Sequence, residues 1–374
     1  MKALVYTEKC ADYENVGVSV RSLLEKVGAD VYGKRVLVKP NVLGPFPQDR
    51  HVCTRPEVVR EVCTALEERG ADKVVVGDNP GVTGYGASEK ALKASGIYDA
   101  ADGRFVNLAE NTETIRMKSV SGFEIPVSRE VMDADIVANL PKFKTHNLTR
   151  ITGAVKNAFG YVVGGAKARL HAAAETPYNF GAACVEIYRL RPPEINIMDA
   201  VVGMEADGPS SKDLRNVGLM LASANGAALD AVVARLMGMD GRFVPTVRIS
   251  KALRLCPDDD DIVVDGPAEP VPDFRPPSTF IQNRIVYWLA NRLVFSQVVP
   301  KPYIDRNVCI ECGRCVEVCP TNALDEFPLI NYNLCIRCYC CQEVCPEAAV
   351  KLRGRFKLAM RRGANVRDGL TQQV

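Results

Sequence analysis

Val36-Leu37-Val38-Lys39-Pro40-Asn41, then Thr54-Arg55-Pro56 leading a helix-forming run to Arg69 and Gly70, then Val74-Val75-Val76-Gly77-Asp78-Asn79: this stretch decides the fold. Two short β-branched runs flank one helix of about fourteen residues, the length a right-handed βαβ crossover needs. Thr54 supplies an N-cap, proline is tolerated in the first turn, and Gly70 closes the helix. Each strand ends in a polar cluster, Lys39 to Asn41 and Asp78-Asn79.

The same rhythm extends in both directions. Ala3 to Tyr6 reads as a first strand. Val16 to Val27 reads as a helix with Val16, Val20, Leu23, Leu24 and Val27 on one face. Ser88 to Ala94 reads as a short helix, Phe105-Val106 as a strand, and 113–118 with 123–127 as a hairpin around Ser121-Gly122. Further strands are expected at 136–138, 195–198 (ending in Asp199), 218–221 (ending in Ser223) and 262–264, with helices at about 149–159, 180–189 and 227–237. Alternating units of this kind predict an α/β fold, a largely parallel sheet flanked by helices.

The C-terminal part is of another kind. Cys309-x2-Cys312-x2-Cys315-x3-Cys319-Pro320 is repeated as Cys335-x2-Cys338-x2-Cys341-x3-Cys345-Pro346. This is the sequence form of a bacterial-type ferredoxin carrying two 4Fe–4S clusters, in which the fourth cysteine of each run serves the other cluster. The spacing assigns Cys309, Cys312, Cys315 and Cys345 to one cluster, and Cys335, Cys338, Cys341 and Cys319 to the second. Zinc knuckles would want pairs of pairs, which two complete runs fit poorly. The expected organisation is an α/β domain over 1–265, a Pro-rich linker with an aromatic and basic helix over 266–300, a small α+β ferredoxin-like module over 301–350, and a basic tail over 351–374.

Bulk properties narrow the function. The 374 residues suffice for two domains. A net charge of +2 gives no electrostatic footprint for nucleic acid. The most apolar segment, 281–299, is interrupted by Arg284 and Arg292, so no transmembrane segment is expected. Cys10, Cys53, Cys63, Cys184, Cys256 and Cys340 form no paired spacing and read as buried apolar residues. Free thiols beside oxygen-sensitive clusters point to a cytoplasmic protein.

Ligands of open parallel sheets sit beyond the carboxyl ends of the strands, where Lys39-Asn41, Asp78-Asn79, Lys142-Lys144-His146, Asp199 and Ser223-Asn225 fall. The densest segment holds Lys142, Lys144, His146, Arg150 and Lys156, and opens a helix whose amides favour anions. Lys167 and His171 follow. Either this is a pocket for a carboxylate, phosphate or similar anion, or it is a basic surface loop. In the first case His146, Asp78 and Lys156 are the catalytic candidates, and Lys39, Asn41, Lys142, Lys144, Arg150, Lys167 and Asp199 bind the substrate. Asp78 is either an acid/base or metal ligand, or the pivot of an Asx-turn.

Lys39-Pro40-Asn41, the 54–59 and 74–81 runs, Leu140 to His146, Thr152 to Gly160 and Asn196 to Pro209 together resemble the family catalogued as domain of unknown function 362, which is often fused to a two-4Fe–4S module. The resemblance spans about residues 1–265 and implies a cytoplasmic iron–sulfur protein of the kind common in anaerobic microbes; it supplies no substrate. Gly164-Gly165-x-Lys167 is also similar, over one short motif, to the lysine loop of nickel-pincer lactate racemases, which keeps an additional metal or organic cofactor on the list. The sequence thus predicts an iron–sulfur oxidoreductase that passes electrons from two 4Fe–4S clusters to an anionic substrate or second cofactor, served by a redox partner protein. The alternative is a non-enzymatic ferredoxin-type carrier or assembly partner.

Overall fold

The computed structural model describes residues 2–81, 87–174, 176–280, 300–326 and 328–353. The apolar 281–299 segment, with its expected aromatic and basic helix, and the tail beyond 353 lie outside them. Among the described residues, eleven strands precede residue 300: β1 Ala3–Lys9, β2 Arg35–Pro40, β3 Lys73–Val76, β4 Thr112–Arg116, β5 Glu124–Ser128, β6 Ile136–Leu140, β7 Lys142–His146, β8 Arg150–Ile151, β9 Ile195–Met204, β10 Leu214–Ser223 and β11 Ile262–Asp265. The main sheet runs β11-β1-β10-β9-β6-β2-β3, with β7 beside β9 and β8 beside β7. β4 and β5 form a separate hairpin.

The strands are valine- and isoleucine-rich because both faces are covered. Val36 and Val38 pack with helices Val16–Val27 and Pro56–Glu68 on one side. Leu37, between them, packs with the helices of residues 153–252 on the other. The result is a three-layer α/β architecture with two cores, one on each face of the sheet. The expected helix Val16–Val27 is found with those bounds, closed by Gly28 at φ 70°.

Four expectations are corrected. β2, β3, β6 and β9 run parallel, but β10 is antiparallel to both β9 and β1. Ser223-Asn225 therefore lies at the opposite edge from the other polar clusters; Ser223 bonds the carbonyl of Leu4 and Asn225 caps the helix Gly226–Leu236. Asp199 is inside β9, whose chain continues to Met204. The basic segment is not a helix-opening loop. Pro141 interrupts β6, because it cannot continue the ladder, and the chain resumes as β7 alongside the second half of β9, pairing Lys142 with Asp199. The 149–159 helix shrinks to Gly153–Asn157 followed by a 3-10 turn at Ala158–Tyr161.

The module after residue 300 is small. β12 Lys301–Ile304 pairs antiparallel with β13 Val350–Arg353, and each cysteine run carries one four-residue helix, Arg314–Glu317 and Cys340–Glu343. Left-handed residues recur at matching places of the two runs: Glu311 and Arg337, Gly313 and Tyr339, Asn322 and Ala348. The apolar cores here are three-residue clusters, too small to stabilise a fold unaided.

Asp230 accepts from the backbone amides of Ala154 and Val155 at 2.5 and 3.0 Å. Those amides are the ones that sequence reasoning offered to an anion. Burial pushes the Asp230 carboxyl up to about 7. The folded protein then binds this proton more tightly than the unfolded chain does. The associated stability is complete below the ordinary value of 3.8 and falls as pH rises to about 7. Asp230→Asn should remove that part of the slope: in urea unfolding, the stability of the wild type relative to the variant declines from pH 4 to pH 7.

Candidate functional site

Side chains alternate across a strand, so Lys-Phe-Lys-Thr-His in β7 sends Lys142, Lys144 and His146 one way and Phe143 and Thr145 the other. All five are buried. Lys39, Lys156 and Lys167 are buried with them, so the reading as a solvated basic loop does not hold. Each ammonium must find oxygen, and the partners differ.

Lys39 Nζ lies 2.7 Å from Asp78 Oδ1. Asp78 also accepts from the amides of Val42 and Asn79 at 2.8 and 2.9 Å. With three donors, Asp78 is the counter-ion that holds Lys39 and closes the turn after β3. Gly160 lies against this pair: a Cβ there would overlap Asp78 Oδ1 and stand 2.6 Å from Lys39 Nζ. Lys142 Nζ lies 2.7 Å from Asp199 Oδ2, and Tyr13 bridges the two, accepting from Lys142 and donating to Asp199, each at 2.9 Å. The amide of Arg55 is a third donor to Asp199.

Lys144 and Lys167 have carbonyls instead of carboxylates. Lys144 donates to Val52 O at 2.6 Å, and Lys167 to Asn79 and Pro80. Burial, only partly offset by neighbouring acids, brings both down to about 7. Lys156 adds to the positive field at Lys39, Lys144, Lys167, His146 and His171. Its Nζ stands 5.5 Å over the Phe159 ring.

His146 Nδ1 accepts from the amides of Leu148 and Thr149 at 3.1 and 3.3 Å. That leaves its proton on Nε2. Burial, with help from Lys156, lowers His146 to about 4, so it is neutral at physiological pH. Nε2 faces Oε1 of Glu343 at 3.1 Å, without the angle of a hydrogen bond. Glu343 belongs to the cysteine-rich module, two residues after Cys341. Burial opposes its charge, but His146, Lys156 and His171 hold its carboxyl below the usual carboxylate range. His171 packs on Phe180 with ring centroids 4.1 Å apart, and its Nδ1 is buried with no hydrogen-bond partner among the described residues. Phe159 and Phe180 complete an aromatic wall.

The structure therefore gathers Lys39, Asp78, Lys144, His146, Lys156 and Lys167, and sets the Lys142–Asp199 pair beside Lys144. It turns Arg150 away, toward Asn147 and Thr279. Asn41 joins a buried chain of amides: Asn41 donates to Asn157, Asn157 to Asn139, and Asn139 to Asn196, at 2.7 to 2.9 Å. Sequence reasoning missed that chain, Tyr13 and Glu343. Asn139 and Asn157 sat in quoted motifs with no chemistry attached; Glu343 carried no signal, because only the docking of the module brings it here.

The docking contacts centre on the helix Cys340–Glu343. Gln342 accepts from Asn147 at 2.5 Å and from Ser210, through its backbone carbonyl, at 2.9 Å, and donates to Asp207 O at 3.0 Å. Arg50 donates to Pro346 O. Tyr339 is 2% exposed and belongs to the α/β core.

The cysteines fit iron–sulfur ligation. Cys309, Cys312, Cys315 and Cys345 line one hollow. Burial and then Cys345, Cys312 and Cys309 push the Cys315 thiol up to about 11. Burial also raises Cys341, with Cys338, Cys335, Cys315 and Cys319 adding to it. Such thiol crowding is relieved when cationic iron takes up thiolates. Amides of Glu311, Ala323 and Ala349 point at the sulfurs of Cys309, Cys319 and Cys345 at 3.4, 3.1 and 3.1 Å, the bonds that tune such clusters. Among the described residues, no three His, Cys, Asp or Glu side chains are gathered tightly enough for a single metal ion.

Comparison with known proteins matches residues 36–235 to a domain of unknown function (DUF362) and residues 302–325 to a 4Fe-4S binding domain. A thylakoid-associated protein of Synechocystis sp. is 34% identical over 255 residues, which is 64% of this chain and 75% of the relative. Among solved structures, a Thermotoga maritima protein is 17% identical with a TM-score of 0.36, over 59% of this chain and 57% of that one. The lactate racemase apoprotein of Thermoanaerobacterium thermosaccharolyticum is 14% identical with a TM-score of 0.41, over 64% and 58%. The chain thus spans less than two thirds of either. No helix among the described residues is long and apolar enough to cross a membrane.

Removing one partner of a buried ion pair strands the other charge. Asp78→Ala should cost about 3–5 kcal/mol, and adding Lys39→Met should restore most of it. A double-mutant cycle in urea measures the difference.

Proposed function

From a chain that belongs to the DUF362 family and carries a 4Fe–4S binding domain, we propose an iron–sulfur oxidoreductase that reduces an anionic substrate, or a second cofactor, bound in the lysine cluster. The observation that carries the reading is the placement of Glu343. It stands two residues from Cys341 and 3.1 Å from His146, at the edge of the lysine cluster. The sequence-derived ligand sets would hold two 4Fe–4S clusters, and these supply single electrons.

The chain's residues would do the rest. Lys156 and Lys144 attract the anionic group in a site shielded from water, where such attraction is strongest. Lys39, Lys142, Asp78 and Asp199 are fixed in pairs and shape the surrounding field. His146 offers a hydrogen bond from its neutral Nε2–H, facing the cysteine-rich module. A group bound between His146 and Lys156 would then meet that donor and the electron from the same side. The lysine cluster is what favours an enzyme over a simple carrier, since a carrier has no use for a buried set of ammonium groups. The relative's thylakoid association is compatible with a peripheral place at a membrane, served by a redox partner protein.

Anaerobically purified protein should contain about eight irons per chain, with mass spectrometry reporting any bound small molecule. After reduction by dithionite, loss of the reduced-cluster signal on adding candidate carboxylates or oxoanions reads turnover. His146→Ala and Lys156→Ala should keep the iron and slow that reoxidation by about a hundredfold or more. Unchanged reoxidation in both variants would return the protein to the carrier reading.

A further inference from the structure

The buried acids of this protein are held in different ways. Asp78 and Asp199 each receive three donors at 2.7–3.0 Å, and Asp230 receives two amides. Glu343 is as deeply buried, 4% exposed, yet its Oε1 accepts no hydrogen bond of proper geometry among the described residues. Its Oε1 only lies near His146 Nε2. An ionised carboxylate that gives up water gains back its solvation through two to four short donors. His146, Lys156 and His171 stand around Glu343, but Oε1 has no such donor among the described residues.

The groups around it are unsatisfied as well. His146 Nε2 and His171 Nδ1 are buried without hydrogen-bond partners among the described residues. On the apolar side stand Phe180, whose ring centroid is 4.1 Å from that of His171, and Phe159, 5.4 Å from Phe180. Lys156 lies over the Phe159 ring on the polar side. Glu343 brings a carboxylate on a short aliphatic stem into this place.

We propose that Glu343 is a resident stand-in for the substrate's carboxylate: the seat it fills is built for an aliphatic monocarboxylate, and the incoming carboxylate displaces the Glu343 side chain to bind. The helix that carries it stays docked while the side chain leaves. Gln342 bonds Asn147, Ser210 and Asp207, and Arg50 holds Pro346, so none of these contacts depends on the Glu343 carboxylate. Displacement breaks no hydrogen bond of proper geometry at Oε1. The seat gains in exchange a ligand free to align with Lys156 and the two imidazoles. The module would thereby close its own substrate site until the substrate arrives, and would keep inorganic anions out of it.

This inference rests on the lysine cluster being the substrate site, as proposed above, but its test needs no redox step. Iron-replete wild type, Glu343→Ala and Glu343→Gln are titrated anaerobically with sodium propionate and with sodium phosphate by calorimetry. Emptying the seat should let Glu343→Ala bind propionate at one site at least about tenfold more tightly than the wild type. Glu343→Gln, which keeps the shape and removes the charge, should gain less and serves if the alanine variant does not retain iron. Adding Lys156→Ala should abolish the gain. The proposal is overturned if neither iron-replete variant gains, if phosphate gains as much as propionate, or if the gain survives Lys156→Ala. A failure of that kind would leave the iron content and the reoxidation assay to decide the redox function on their own.

Discussion

Burying an ammonium group costs several kcal/mol unless an acid or a set of carbonyls replaces the lost water, and this protein buries five lysines in one region. The arrangement of its sheet follows from how those costs are met. Lys39 at the end of β2 needs Asp78 after β3, so the neighbouring parallel strands must end level, as their register from Arg35–Lys73 to Val38–Val76 ensures. Lys142 needs Asp199, which requires β7 to lie beside the second half of β9 after the break at Pro141. Gly160 has no side chain because the Lys39–Asp78 pair occupies the space. These pairs are rigid parts of the protein. Among the described residues, Lys144, Lys156 and Lys167 have no carboxylate paired with them in this way.

The layers of the fold were legible in the sequence and the site's floor was not, for one physical reason. A strand covered on both faces by helices reads as an apolar run, which made Val36 to Val38 and Val74 to Val76 plain. β7 is covered just as fully, but Lys142, Lys144 and His146 make it read as a polar loop. Its strand character comes from pairing with β9, a tertiary fact. The antiparallel direction of β10 was hidden likewise, since an isolated strand carries no sign of its orientation. By contrast the cysteine runs were legible outright, because ligand spacing is local. The left-handed residues at matching places of both runs show that the spacing repeats in the backbone as well.

The candidate side chains were named largely on charge and position, and the structure brings most of them together. Arg150 is the exception: with φ at 72° it closes the tight turn between β7 and β8 and spends its guanidinium on Asn147 and Thr279. Asp78 shows why identity alone does not assign a role. A free carboxylate in a cleft reads as an acid or a ligand, but one already receiving three donors is a support for its neighbour.

Glu343 joins the two halves of the molecule. A ferredoxin-like module with three-residue cores needs 4Fe–4S ligation and its docking surface for stability, and that surface centres on the short helix Cys340–Glu343. Gln342 and Tyr339 fix the helix by hydrogen bonding and burial, while Glu343 adds charge without geometry. An ion held only by a diffuse field can be exchanged for another ion that the same field favours and that hydrogen-bonds better. On the proposal made above, Lys156 would serve two purposes: its field would hold the module's carboxylate when the site is empty, and the same field would favour the anion that replaces it. Chemistry at His146 would in this way be coupled to the module through a shared electrostatic seat.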